Sequence, residues 1–260
     1  MSDLNHNATY YTILSESFIS DQKLNKVINC ESLYFTIEND IIYYLKEGTI
    51  VSEIIIPKDA NAYYEDEDYI YWVTDKYIIK NYFHISKWNG WNNDAICIKA
   101  TNIDDYSIKY IPERLYLEVL KKNGYALRWI PFEKITKDLC MVAIENNTYA
   151  LQWILEELKT YDLCLNLVTI NGDVLRWVPN EHKDNKIYEA AVKSAGYILW
   201  HISFNAITPK ICELAVKNDE RALQFVPDNL KTRELCLLAA TNDYNIFKFI
   251  PKQHIEYVNN

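Results

Sequence analysis

The chain is poor in glycine, with five among 260 residues. So few leave little room for phosphate-cradling loops, and neither G-x-x-x-x-G-K-[ST] nor G-x-G-x-x-G occurs. Long apolar runs are also missing. No stretch approaches the roughly 18–20 apolar residues that a membrane span needs. The start, Met1-Ser2-Asp3-Leu4-Asn5, lacks the basic and apolar regions of a secretory signal. There is no cation surplus: 27 Lys and Arg stand against 36 Asp and Glu, a net charge of −9. That balance argues against a nucleic-acid backbone as the main partner. What is present is enough apolar material to fold. Hydrophobic residues make up 49% of the chain, and the length suits one large domain or two ordinary ones. Without a secretory signal, the six Cys are expected as reduced thiols rather than disulfides.

The charge is unevenly placed. Residues 1–91 hold 7 Lys/Arg against 14 Asp/Glu, whereas residues 92–260 hold 20 against 22. A domain boundary is expected at the polar, Gly-containing stretch Trp88-Asn89-Gly90-Trp91-Asn92-Asn93. It separates an acidic domain, 1–91, from a nearly neutral one, 92–260.

A phrase recurs through the second part: Ile108-Lys109-Tyr110-Ile111-Pro112, Leu127-Arg128-Trp129-Ile130-Pro131, Leu151-Gln152-Trp153-Ile154-Leu155, Leu175-Arg176-Trp177-Val178-Pro179, Leu199-Trp200-His201-Ile202-Ser203, Leu223-Gln224-Phe225-Val226-Pro227 and Phe247-Lys248-Phe249-Ile250-Pro251. The phrase ends, at 112, 131, 155, 179, 203, 227 and 251, are separated by 19 residues once and by 24 five times. Nineteen positions before a phrase end stand Asn93, Thr136, Thr160, Asp184, Thr208 and Thr232, all good helix N-caps. Pro209 follows its cap at a first-turn position where proline is tolerated. Leu139, Cys140, Ala143 and Ile144 then mark one face of a helix, as do Leu235, Cys236, Ala239 and Ala240. A turn follows, with Gly124, Gly172 or Gly196 at one position where a positive φ would suit glycine. A second helix is expected to carry the phrase, burying for example Ala126, Leu127 and Ile130. Leucine-rich repeats share this period but are excluded: Tyr125, Asp173 and Arg221 stand where their pattern needs apolar residues. Each unit is therefore a helical hairpin. Seven of them, none able to bury a core alone, should stack as an all-α solenoid.

The N-terminal part has β-rich runs at 32–36, 50–57, 62–64 and 69–73, a final short strand at 76–79 and a short helix from Asn39 to Leu45. Glu65-Asp66-Glu67-Asp68 would form the acidic tip of a hairpin. The expected fold class is thus a small α+β domain followed by an α-solenoid of about seven helical-hairpin repeats.

Both parts resemble known families. Asn171-Gly172-Asp173-Val174-Leu175-Arg176-Trp177-Val178-Pro179 and Asp219-Glu220-Arg221-Ala222-Leu223-Gln224-Phe225-Val226-Pro227 resemble short helical-hairpin repeats of a domain-of-unknown-function family abundant in giant viruses of amoebae. The order Tyr34-Phe35-Thr36, Tyr43-Tyr44-Leu45 to Gly48, Ile54-Ile55-Ile56-Pro57-Lys58-Asp59-Ala60 and Asp75-Lys76-Tyr77-Ile78-Ile79 is similar to the N-terminal domain of mimivirus-like repeat proteins, ankyrin-type paralogues included. The resemblance implies a viral protein in the host cytoplasm, acting on a host factor. It supplies no catalytic residue.

Candidate chemistry is sparse. Cys97, Cys140, Cys164, Cys212 and Cys236 all fall 15 residues before their phrase end, with Tyr116 and Tyr188 in the same slot of the other two units, which marks a packing position. Cys30 stands apart and has no evident base beside it. His6, His84, His182, His201 and His254 are dispersed, C-x-x-C is absent, and the acidic run lacks the pattern of a calcium loop. No metal or cofactor is expected, and no catalytic residue. Tyr110, Trp129, Trp153, Trp177, Phe225 and Phe249 are expected to pack between repeats rather than to stack bases. The slot before them varies: Lys109, Arg128, Gln152, Arg176, Trp200, Gln224 and Lys248. Such a slot should be exposed, and it is the candidate partner-reading row. The leading expectation is a non-enzymatic protein-interaction scaffold with an unidentified protein partner. An RNA-binding helical repeat and a small enzyme within residues 1–90 are the alternatives.

Overall fold

A computed structural model of the chain describes residues 4–5, 7–14, 24–44, 48–66, 70–240 and 244–258. The chain divides into two compact units, Met1–Phe132 and Glu133–Asn260.

The first unit opens with an antiparallel sheet of β1 (Tyr10–Leu14), β2 (Val27–Phe35), β3 (Ile50–Ile55), β4 (Ala62–Asp66) and β5 (Ile70–His84). The strand order is β1-β3-β5-β2, and β4 also pairs with β5. A bridge between Tyr11 and Thr36 joins β1 to the end of β2, so the path curls back on itself. Both Tyr11–Thr36 backbone hydrogen bonds form, at 2.8 and 2.9 Å. Inside lie Tyr10, Phe35, Ile54, Ile56, Tyr77 and Ile79, fully or nearly fully buried. Tyr10 meets Phe35 edge-on with ring centroids 5.0 Å apart.

Two strand expectations change. β1 lies outside the β-rich runs expected from the sequence, although Tyr10-Tyr11-Thr12-Ile13-Leu14 is rich in β-formers. The runs at 69–73 and 76–79 are one strand, β5, because the polar residues between them find partners. Asp75 accepts from Asn61 N and Nδ2, at 2.8 and 2.7 Å, and Lys76 Nζ pairs with Asp59 at 2.8 Å. The β3–β4 connection thus satisfies the interruption. The expected short helix is a 3-10 helix, Glu38–Tyr44, whose Ile41 and Ile42 are buried. Of the acidic run, Glu67 and Asp68 lie outside the described residues.

The helical repeats begin at α1 (Asp94–Ile103), and residues at the expected boundary are packed rather than loose. Trp88 and Trp91 are buried edge-on at 5.1 Å, and Trp91 Nε1 donates to the Ile85 carbonyl at 2.8 Å. α1 is followed by a 3-10 segment, Asp105–Lys109. The shortened unit holds α2 (Tyr116–Lys122) and Gly124–Trp129. It is shorter because α2 grows directly out of the turn Glu113–Leu115, without the linker and side-chain cap that precede the other helices.

The second unit repeats one plan through α3 (Lys137–Asn146), α4 (Tyr161–Ile170), α5 (Asn185–Ser194), α6 (Pro209–Asn218) and α7 (Arg233–Ala240), and α8 (Lys252–Val258) follows the last phrase. The expected caps are in place. Thr136, Thr160, Asp184, Thr208 and Thr232 each accept from the backbone N–H three residues on. In the first unit Asn93 caps α1 likewise, accepting from Ala95 and Ile96. From α4 to α7 successive helices pack on one another, and the slots of Cys140 and Ala143 are buried in every repeat of this unit up to Cys236 and Ala239.

The second arm of each hairpin is not an α-helix but a 3-10 segment: Thr148–Gln152, Gly172–Trp177, Gly196–His201, Glu220–Phe225 and Tyr244–Phe249 in this unit. Five or six residues give an α-helix hardly more than one turn, whereas 3-10 bonding closes within three residues and suits short pieces. Nor do the turn glycines have positive φ. Their role is close approach. A Cβ on Gly172 or Gly196 would be driven into the carbonyl oxygen of Ala191 or Ala215, on the α-helix of the next repeat.

Candidate interaction surface

A 3-10 helix has three residues per turn, so side chains at i and i+3 eclipse. Within each phrase this builds three columns. The leucine column and the alanine beside it face the core: Ala150 and Leu151, Val174 and Leu175, Ile198 and Leu199, Ala222 and Leu223 are all buried. The remaining column points outward. It pairs each residue of the candidate row with the one three positions earlier: Tyr106 with Lys109, Tyr125 with Arg128, Tyr149 with Gln152, Asp173 with Arg176, Tyr197 with Trp200 and Arg221 with Gln224. The sequence reading missed these earlier partners. Their signal was the three-residue spacing, legible only once the arm is known to be 3-10.

In the first unit, Lys109 and Arg128 are half-buried. Lys109 Nζ lies over the rings of Tyr106 and Tyr110, at 3.4 and 4.6 Å, and partial burial lowers its pKa. The Arg128 guanidinium sits 4.1 Å over Tyr125 and 4.7 Å over Trp129, and its Nη2 pairs with Asp105 at 3.2 Å. Trp129 Nε1 donates to the same carboxylate at 2.9 Å. These cations are occupied by aromatic faces and an acid within the fold.

In the second unit, Gln152 is half-buried, while Arg176, Trp200, Gln224 and Lys248 are exposed. Asp173 organises three consecutive repeats. Its carboxylate accepts from Tyr149 Oη, 24 residues before it, at 2.8 Å, and from Tyr197 Oη, 24 residues after it, at 2.5 Å. The hydrogen bond to Asp173, then desolvation, pushes the Tyr197 phenol up to about 12. Arg176 Nη2 stands 3.9 Å from Asp173 and its guanidinium 5.3 Å over Trp177.

The aromatic slot packs between repeats, as expected, but it is half-buried rather than interior. Trp177 meets Tyr149 of the preceding repeat edge-on at 5.7 Å, and Trp129 meets Tyr106 in the same way at 4.8 Å. The rings close the groove between neighbouring 3-10 segments and leave one side toward solvent. His201 occupies this slot in the fifth repeat and is exposed beneath Trp200, with centroids 4.2 Å apart. Partial desolvation, with Arg176 nearby, lowers its pKa.

The five repeat cysteines are free and completely buried, in the slot where Tyr116 and Tyr188 are also buried. Burial pushes the Cys97 and Cys212 thiols up to about 11 and raises Cys140, Cys164 and Cys236 as well. They remain protonated near neutrality, which removes their strength as nucleophiles. Cys30 is half-buried and donates to the Thr74 carbonyl at 3.5 Å. Among the described residues, no three His, Cys, Asp or Glu side chains converge as metal ligands, and no helix is long and apolar enough to cross a membrane.

Two segments, 114–159 and 209–254, match the domain of unknown function DUF4116. Each DUF4116 segment starts close to the N-terminus of an α-helix, α2 or α6, and spans about two hairpins, so the matched domain is itself a pair of these repeats. No curated protein and no solved structure matches the chain.

Proposed function

We propose that this protein is a non-enzymatic interaction scaffold that engages another protein through the outward column of its repeats. The observation that supports the reading most directly is the contrast between two sets of repeat positions. From α3 to α7 the caps stay Thr or Asp, the leucine column stays apolar, and the cysteine slot is Cys except for Tyr188 in the fifth repeat. The outward column holds Gln152, Arg176, Trp200 and Gln224 on the same backbone frame. A surface that varies on a constant frame is how repeat proteins present different contacts to partners. The resemblance of both parts to giant-virus repeat proteins extends the proposal: a viral protein acting on a host factor in the host cytoplasm, with nucleic acid and membrane outside its role.

The test is affinity capture with tagged full-length protein, with and without nuclease treatment. A triple variant of the column, Arg176→Ala with Trp200→Ala and Gln224→Ala, is compared with a triple variant of the exposed helix faces, Asp162→Ala with Glu213→Ala and Lys217→Ala. The expected result is a nuclease-resistant protein partner lost only by the column variant. Retention of RNA with no protein, or equal loss from both variants, would sink the proposal.

A further inference from the structure

The fifth repeat departs from the others in one place. The ring that elsewhere sits between repeats has moved one residue forward, leaving His201 in the packing slot and Trp200 in the outward column. Trp200 is 61% exposed, and Tyr197 and Phe204 beside it in sequence are 42% and 67% exposed. The six counterparts of Trp200 in the candidate row are Lys, Arg or Gln. An apolar cluster on an otherwise polar row marks a contact site, and Trp is the residue type that most often dominates one.

Charge around the cluster is sorted by depth. Arg176, one repeat before, keeps 43% of its side chain exposed, while its acid Asp173 keeps 17%. Arg221, one repeat after, keeps 68%, while Asp219 keeps 12%. Both acids are already used. Asp173 takes the two phenols, and Asp219 accepts from the Arg221 backbone N–H at 3.0 Å as well as from its guanidinium. Arg221 shares with Tyr197 a surface groove of about 500 Å³, whose lining also includes Asp219 and Glu220. A ligand approaching Trp200 therefore meets the Arg176 guanidinium on one side and the more exposed Arg221 guanidinium on the other, while Asp173 and Asp219 are less exposed and already hydrogen-bonded.

We infer that the outward column of the second unit takes an acidic peptide segment of its protein partner, anchored by a bulky apolar side chain on Trp200. The inference rests on the column being a protein-binding surface, and it adds the chemistry of the occupant. Carboxylates match the outward guanidiniums, and a basic segment would face them unfavourably. RNA also carries negative charge, but a base ladder needs an open ring in each repeat. Here Trp177 is engaged by Tyr149 and Arg176, and the fifth repeat has His201 in the aromatic slot, which interrupts such a ladder.

The experiment is selection of short random peptides on the full-length protein, followed by titration of labelled selected peptides. Enriched sequences should combine Asp or Glu with a bulky apolar residue. Their affinity should fall roughly thirty-fold in Trp200→Ala, the scale of a hot-spot residue. It should fall several-fold in Arg176→Gln and weaken as salt is raised. Trp200→Gln, which installs the residue of neighbouring repeats, guards against a folding defect in the alanine variant. Enrichment of peptides without acidic residues, no enrichment at all, or displacement by oligouridylate would each overturn the inference. If non-acidic peptides bind but are lost in the column variants, the occupant is wrong and the surface is right. If binding ignores every column variant, both readings fall.

Discussion

The sheet of residues 10–84 and the repeats of the second unit solve the same problem of burial with opposite use of sequence distance. In the sheet, β5 alone joins β2, β3 and β4, and β1 closes on the end of β2, so one core depends on strands scattered over seventy-odd residues. In the repeats, every buried slot has a counterpart 24 residues away, and α4, α5, α6 and α7 pack each on the next. The sheet has few interchangeable parts. The repeats are made of them, and this frees one column of each unit to vary. A damaged sheet should fail as a whole, and a damaged repeat should fail locally.

Phe35→Ala is the strongest way to break that contrast. Phe35 is buried against Tyr10 and stacks at 6.4 Å on Trp72, so it ties the end of β2 to β1 and β5. Truncation should cost about 3–5 kcal/mol, the usual range for a buried Phe. Hydrogen exchange should show protection falling across β1, β2, β3 and β5 together. If only the immediate neighbours of Phe35 lose protection, the sheet is no more cooperative than a repeat and the contrast fails.

Gly172→Ala tests the local side. Its new Cβ would be forced against Ala191 O and Ala195, so the fourth and fifth repeats must separate. Overpacking of this kind costs about 1–3 kcal/mol. Loss of protection should centre on α4, α5 and the segment Gly172–Trp177, while α7 keeps its protection. An unchanged or raised stability would mean that the interface yields, and that glycine is not required for close approach.

The outcome of reading the sequence divides along the same line. The period, the caps and the cysteine slot are legible because each is local and recurs: Thr160 and Thr208 cap by reaching three residues ahead, whatever the rest of the chain does. Helix type in the second arm is not legible, because six residues such as Gly172–Trp177 fit a period of 3.0 or 3.6 equally well. The Tyr149–Asp173–Tyr197 array is hidden for another reason. Its members are 24 residues apart and meet only after stacking, and two Tyr beside one Asp carry no signal along the chain. β5 reads as two runs, 69–73 and 76–79, because Thr74 and Asp75 interrupt the apolar pattern, and only folding brings Asn61 beside Asp75. The candidate row was found by its variability, but the exposed patch of Tyr197, Trp200 and Phe204 needed the backbone.

The smallest effect has the opposite sign. At the start of each 3-10 segment, Asn147, Asn171 and Asp219 accept from the backbone N–H two residues on, at 3.0–3.1 Å. The fifth repeat has Ala195 there, with no side-chain cap, although its φ and ψ of −144° and 96° nearly equal the −142° and 102° of Asn171. Asn171 also donates its amide to Thr148 of the preceding repeat at 3.0 Å. The counterpart of Thr148 for position 195 is Gly172, which offers no hydroxyl. Ala195→Asn should therefore regain the local bond but not the second one. It should stabilise the protein by about 0.5–1 kcal/mol, the lower part of the range for capping substitutions. Thermal unfolding of the full chain measures it. The double change Ala195→Asn with Gly172→Thr separates the two contributions: if spacing alone decides the interface, the added Thr destabilises despite its hydroxyl, because the position beside Ala191 O has no room for a side chain.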